Sequence, residues 1–263
     1  VQGIPPEVGA TPEGVLCLTH RRRLSEIFHE NLKKAPRTMQ QGESALLPSV
    51  EIETRPRPSH AVIWLHGLGA DGNDFIQAVD AIPLPRIGIR FVFPHAPMMP
   101  VTINGGFVMR AWYDILGPDL NTRQDEAGIR NSHRAVDALI ARENERGIPA
   151  SRIVLAGFSQ GGVIALHAGL RHPRKLAGIM GLSAYLALAA TTQRERASAN
   201  QLTAIFMAHG NADPIIPIEA GRSSLDLLKQ LGYPAEWHEY DMPHSVCVEE
   251  LEDIGSWLQQ VLS

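Results

Sequence analysis

The stretch Arg152–Gly169, RIVLAGFSQGGVIALHAG, constrains this chain more than any other. A short apolar run (Ile153, Val154, Leu155, Ala156) meets Gly157-Phe158-Ser159-Gln160-Gly161. A second small-residue segment (Gly162, Val163, Ile164, Ala165, Leu166, Ala168) follows without a break. The pattern predicts a buried strand that turns sharply into a helix with Ser159 at the apex. Such a turn strains the serine backbone and needs small neighbours, because strand and helix nearly touch there. A bare G-x-S-x-G is a weak signal in a chain with 23 glycines among 263 residues, so its context has to decide. The competing reading is a glycine-rich turn whose serine only caps the helix.

Residues 1–47 are unlike the rest. Pro, Gly, Glu and Arg are scattered without periodicity around a basic patch from His20 to Arg37, and a short helix over Arg22–Lys34 is the one candidate element. This segment cannot build a core and is read as an N-terminal extension, disordered or partly helical, before a folded domain over 48–263. The 44% hydrophobic content suffices for one core, and α/β chains of this length are commonly one domain. A net charge of −4 gives no reason to expect nucleic acid as a partner. Two cysteines, Cys17 and Cys247, fit a reducing compartment. No apolar stretch is long enough for a membrane span or a signal-peptide core, so a soluble, cytoplasmic protein is expected.

Within the domain, Val50–Glu53 alternates as an edge strand does. Ala61–Leu65 is continuously apolar, the signature of a strand covered on both faces, and Ile89–Phe93, Leu176–Leu182 and Thr203–Ala208 read as further buried strands. Helices are expected near Asp74–Ala81, over Asp125–Arg146 and Ile218–Leu231, and over Val246–Leu262, with a last strand at Ala235–Tyr240. Met98–Asp119 reads as a long irregular segment with a turn at Asn104-Gly105-Gly106. The alternation predicts an α/β fold, a mostly parallel sheet with helices on both faces and its site at the carboxyl ends of the strands.

A serine nucleophile needs a base within hydrogen-bond reach and a carboxylate that orients the base. In a fold of this kind the carboxylate comes next in the chain and the histidine last. Asp213 lies in HGNADPIIP just past a buried strand, and His244 lies in PHS between the last strand and the last helix. His66, His209 and His238 compete as the base, and Asp241 competes as the carboxylate. An oxyanion needs two backbone donors: the amide of Gln160, after the nucleophile, and one from the loop His66-Gly67-Leu68-Gly69, where Leu68 is the candidate. The chain has no H-E-x-x-H, no cysteine pair at zinc spacing and no G-K-S/T phosphate loop, so no metal or organic cofactor is expected.

HGLGADG, the NGG…MRAWYDI segment, GFSQGG, G-x-x-D-x-x-I-P and the final PHS together resemble the phospholipase/carboxylesterase family, which includes bacterial carboxylesterases and acyl-protein thioesterases. The resemblance runs from about Ser49 to Ser263. It implies an α/β-hydrolase without a large cap domain, with Ser159, Asp213 and His244 in the triad positions and Leu68 and Gln160 at the oxyanion. The family's lid-like loop corresponds to about Met98–Ile115, which would place Ile103, Trp112, Ile115 and Ile215 along an apolar acyl groove. The expected activity is serine carboxylesterase on short- to medium-chain esters through an acyl-enzyme. Alternatives are an acyl-protein thioesterase or lysophospholipase on the same triad and, more distantly, a hydrolase-fold binding protein. The expected partner is a small ester or thioester, and the expected state a monomer or homodimer.

Overall fold

Strands that are apolar on both faces have to lie inside a sheet with helices on either side, and the computed structural model has that architecture. It describes residues 46–118 and 123–263, together with the backbone of the two-residue strand β1 (Val15–Leu16). The basic patch and the expected Arg22–Lys34 helix lie outside the described residues.

The central sheet has seven strands: β2 (Ser49–Glu53), β3 (His60–Leu65), β4 (Ile89–Pro94), β7 (Ile153–Phe158), β8 (Gly178–Leu182), β9 (Ala204–Gly210) and β10 (Ala235–Tyr240), in the order β10-β9-β8-β7-β3-β4-β2. All neighbours are parallel except the edge pair β2–β4, which is antiparallel. The half-exposed alternation of Ser49–Glu53 suits an edge strand, whereas β3 and β4 are buried almost throughout. One core packs α2 (Glu126–Glu145), α3 (Gln160–Arg171) and α5 (Ile218–Gln230) on one face through residues such as Leu139, Leu166 and Leu228. The other packs α1 (Ile76–Ala81) and α6 (Val248–Val261) through Val79, Ile254 and Trp257.

The Met98–Asp119 segment departs from its expected irregularity. It opens with a hairpin of β5 (Met98–Val101) and β6 (Phe107–Arg110), paired Met98 to Arg110 and Val101 to Phe107. Pro100 and the lack of polar–apolar alternation hid these strands, but the turn is the expected one, with Gly105 and Gly106 at φ 67° and 81°. A short helix, α4 (Ala189–Glu195), was also not expected. A two-residue strand, β11 (Val246–Cys247), precedes α6 and pairs antiparallel with β1. No helix among the described residues is long and apolar enough to cross a membrane.

Candidate active site

Four strand ends, after β3, β7, β9 and β10, converge on Ser159. The serine joins β7 to α3 with φ 54° and ψ −124°, the strained apex that its small neighbours predict. The close approach is visible at the glycines. A Cβ on Gly161 would stand 2.3 Å from the Leu65 carbonyl oxygen, and one on Gly157 would stand 2.3 Å from the Gly161 carbonyl. No side chain fits at either place.

His244 Nε2 lies 2.9 Å from Ser159 Oγ, and its Nδ1 lies 2.6 Å from Asp213 Oδ2. The carboxylate only accepts, so Nδ1 carries the proton and Nε2 is left free to take one from the serine. Asp213 is itself held: its Oδ1 accepts from the Ile215 and Ile216 amides at 2.8 and 3.0 Å. Burial pushes its carboxyl up, but the hydrogen bonds from His209, His244 and the Ile216 amide outweigh it and hold the group well below the usual carboxylate range. The His244 ring thus sits against an ionised carboxylate at neutral pH.

Of the competing residues, Asp241 is exposed. His238 stacks on Phe206 and pairs with Asp253 at 3.5 Å. His66 has another task. Its Nδ1 donates to Gly67 O at 2.7 Å and its Nε2 accepts the Ala96 amide at 3.0 Å, so one neutral tautomer ties the Gly67–Leu68 loop to the end of β4. Burial pushes its pKa down to about 4, which keeps the ring neutral.

That loop lies directly against the serine: a Cβ on Gly67 would be 3.3 Å from Ser159 Cβ. Gly69 N donates to Arg110 O at 2.9 Å and fixes the loop to the hairpin. Among the described residues, neither the Leu68 nor the Gln160 amide is paired with a backbone acceptor. Gln160 is also the first residue of α3, where the orphan amides and the helix dipole favour negative charge.

The Gln160 side chain does something its sequence position did not suggest. Its Oε1 accepts from Trp112 N and its Nε2 donates to Tyr113 O, both at 2.8 Å. Trp112 Nε1 then donates to His66 O at 2.8 Å, and Ser132 Oγ donates to Trp112 O. Trp112 is therefore a buried brace between the two candidate oxyanion loops.

Beside Ser159 is a cavity of about 330 Å³ lined by Leu68, Ala70, Phe75, Phe158, Ile215 and Val246, with His244 and Asp74 also in its wall. Of the four residues expected along an acyl groove, only Ile215 reaches it. Ile103 is exposed at the hairpin tip, Ile115 packs half-buried against the core, and Trp112 is 2% exposed in its bracing role. Phe75 and Val246 come from segments distant in sequence, and no local pattern marks them. Phe158 lies inside the serine motif and could have been read as lining. Among the described residues, no group of three or more His, Cys, Asp or Glu could hold a metal ion.

The model of the phospholipase/carboxylesterase family matches residues 48–262. The acyl-protein thioesterase 1 of Neurospora crassa is 41% identical over 225 residues, covering 82% of this chain and 92% of that protein. The crystal structure of Arabidopsis thaliana SOBER1 is 30% identical with a TM-score of 0.74, covering 78% of this chain and 99% of that one. Acyl-protein thioesterase 2 of Zea mays gives 28% and 0.70, covering 81% and 99%. The chain belongs to the phospholipase/carboxylesterase family, serine hydrolases of the α/β-hydrolase fold that act on esters and thioesters.

Proposed function

We propose that this enzyme hydrolyses acyl thioesters, acylated protein cysteines among them, through an acyl-enzyme on Ser159. The observation that carries the reading is the chain of two contacts, Ser159 Oγ to His244 Nε2 and His244 Nδ1 to Asp213 Oδ2. His244 takes the hydroxyl proton as Ser159 Oγ attacks the acyl carbonyl. The Leu68 and Gln160 amides receive the negative charge that develops on the carbonyl oxygen. As the tetrahedral intermediate collapses, the thiol or alcohol leaves with the proton from His244. Water, deprotonated by the same ring, then attacks the acyl-enzyme, and Ser159 regains its proton. The ring must be neutral to begin the cycle.

The acyl-enzyme route is shared by esters and thioesters, which differ in the leaving group, so the preference for a thioester rests on the relatives, which are named acyl-protein thioesterases. The cavity supports one acyl chain entering alongside Phe75 and Phe158, since ~300 Å³ is the low end for a small-molecule site. The same small apolar cavity favours a second reading, a carboxylesterase for short- to medium-chain esters. The test compares kcat/KM for an S-palmitoylated peptide and its O-palmitoyl serine counterpart, beside p-nitrophenyl esters from acetate to palmitate. A thioester preference of about tenfold or more, beyond the uncatalysed difference, supports the first reading. Equal rates on the two peptides with a maximum at butyrate or hexanoate would favour the second.

A further inference from the structure

Asp213 has a partner that the triad does not include. His209, the penultimate residue of β9, is fully buried, and its Nε2 lies 3.3 Å from Asp213 Oδ2 and 2.8 Å from Ile216 O. Both neighbours are acceptors at neutral pH, so Nε2 must carry the proton and share it between them. The other ring nitrogen, Nδ1, has no hydrogen-bond partner among the described residues and faces Gly221 of α5. The ring itself is wedged against Trp237, centroids 6.0 Å apart. Among the described residues, a further charge that acts on the ring is Glu239 on β10, which is already paired with Arg222 and Trp237 Nε1.

The arrangement divides the carboxylate into two halves. Oδ1 is pinned by two amides of its own loop, and a carboxylate pinned at one oxygen can still pivot about it. Where Oδ2 points decides whether it meets His244 Nδ1. His209 reaches Oδ2 from the sheet, and the same proton holds Ile216 O, the loop carbonyl beside the pinning amides.

We propose that His209 is a positioning residue: its Nε2–H locks the Asp213 carboxylate in the rotation that presents Oδ2 to His244. This rests on the triad reading above. It gives a buried histidine, which packing alone would replace with a leucine or phenylalanine, a reason to be polar at Nε2 only. A glutamine can place an N–H where Nε2 lies, whereas an asparagine stops one carbon short, near the Nδ1 position. The two amides have similar burial cost and differ in reach.

The experiment compares wild type, His209→Gln and His209→Asn on p-nitrophenyl butyrate across pH, with Ser159→Ala as control. For the Asn variant, kcat is expected to fall about tenfold or more with KM within about twofold, because small misplacements of catalytic groups are costly in rate. Its acidic limb of kcat/KM should move to lower pH, as a carboxylate that has swung away no longer steadies the His244 imidazolium. His209→Gln should keep kcat within about threefold of wild type and leave the limb in place. Wild-type kcat and limb in the Asn variant would overturn the proposal, as would a Gln variant that falls with it. A limb moved to higher pH would also overturn it, since that means the carboxylate stayed and lost only a donor. If the Asn variant does not fold, His209→Phe, a ring without a donor, takes its place with the same expectations. Turnover that survives Ser159→Ala would sink the triad reading itself, and the role of His209 with it.

Discussion

At the scale of single residues, the site separates groups that touch the reacting atoms from groups that hold them. Asp213→Asn keeps the shape but offers a donor to His244 Nδ1, favouring the tautomer with its proton on Nε2. A fall of ~10³–10⁴ in kcat is expected, read in a continuous ester assay. Gln160→Ala should leave its own backbone amide in place yet strip the clamp on Trp112 N and Tyr113 O. Leaving buried backbone groups unpaired costs ~1–3 kcal/mol each, so thermal unfolding should shift down together with kcat/KM. Unchanged melting and rate in that variant would show that the clamp is dispensable.

At the scale of elements, the strand–helix turn works because two backbones meet without side chains between them. Gly161→Ala pushes a methyl into the Leu65 and His66 carbonyls, and both belong to the strand end that carries the candidate oxyanion loop. The loop or the helix has to move, and overpacking of this kind costs ~1–3 kcal/mol. Loss of activity larger than the loss of stability is the expected pattern, measured as residual rate well below the unfolding temperature. Gly210 has the same duty at the other end of the site, since a Cβ there would lie 2.3 Å from Met242 O in the loop leading to His244.

These elements also show what a sequence can reveal. The parallel strands were legible because Ala61–Leu65 and Ile153–Ala156 are apolar without alternation, which only burial on both faces explains. Ser159, Asp213 and His244 were legible because each lies in a short motif at a strand end, in the required chain order. The β5–β6 hairpin was not, since Pro100 interrupts one strand and the other has no alternating face. Most of the cavity lining was not, because Phe75 and Val246 belong to segments that only the tertiary fold brings beside Phe158 and Ile215. His209 was visible as a candidate, but its contact with Asp213 depends on how the loop after β9 curls back.

At the scale of the whole molecule, stability carries a pH dependence of its own. Glu250, in the first turn of α6, is buried, and the Cys247 amide at the N-cap of the helix faces its carboxylate. Burial, with the nearby Asp253 charge adding to it, outweighs the hydrogen bond from the Cys247 amide and pushes its pKa up to about 8. The folded protein therefore keeps this proton while the unfolded chain gives it up near the ordinary Glu value, ~4.3. Stability from this group is complete below the unfolded pKa and is lost as pH rises to about 8, then levels off. Glu250→Gln removes the slope. Its melting temperature should exceed wild type at pH 8, and the gap should close toward pH 5, as read by scanning calorimetry. A gap independent of pH would mean that Glu250 is ionised in the folded state.

The central claim is that Ser159 is the nucleophile, and the most direct measurement is the mass of the protein after treatment with a fluorophosphonate. One adduct per chain, located on Ser159 by peptide mapping, with ester and thioester hydrolysis lost in proportion and no adduct on Ser159→Ala, is the predicted result. An adduct elsewhere, or full hydrolysis by a protein whose Ser159 is blocked, would contradict it.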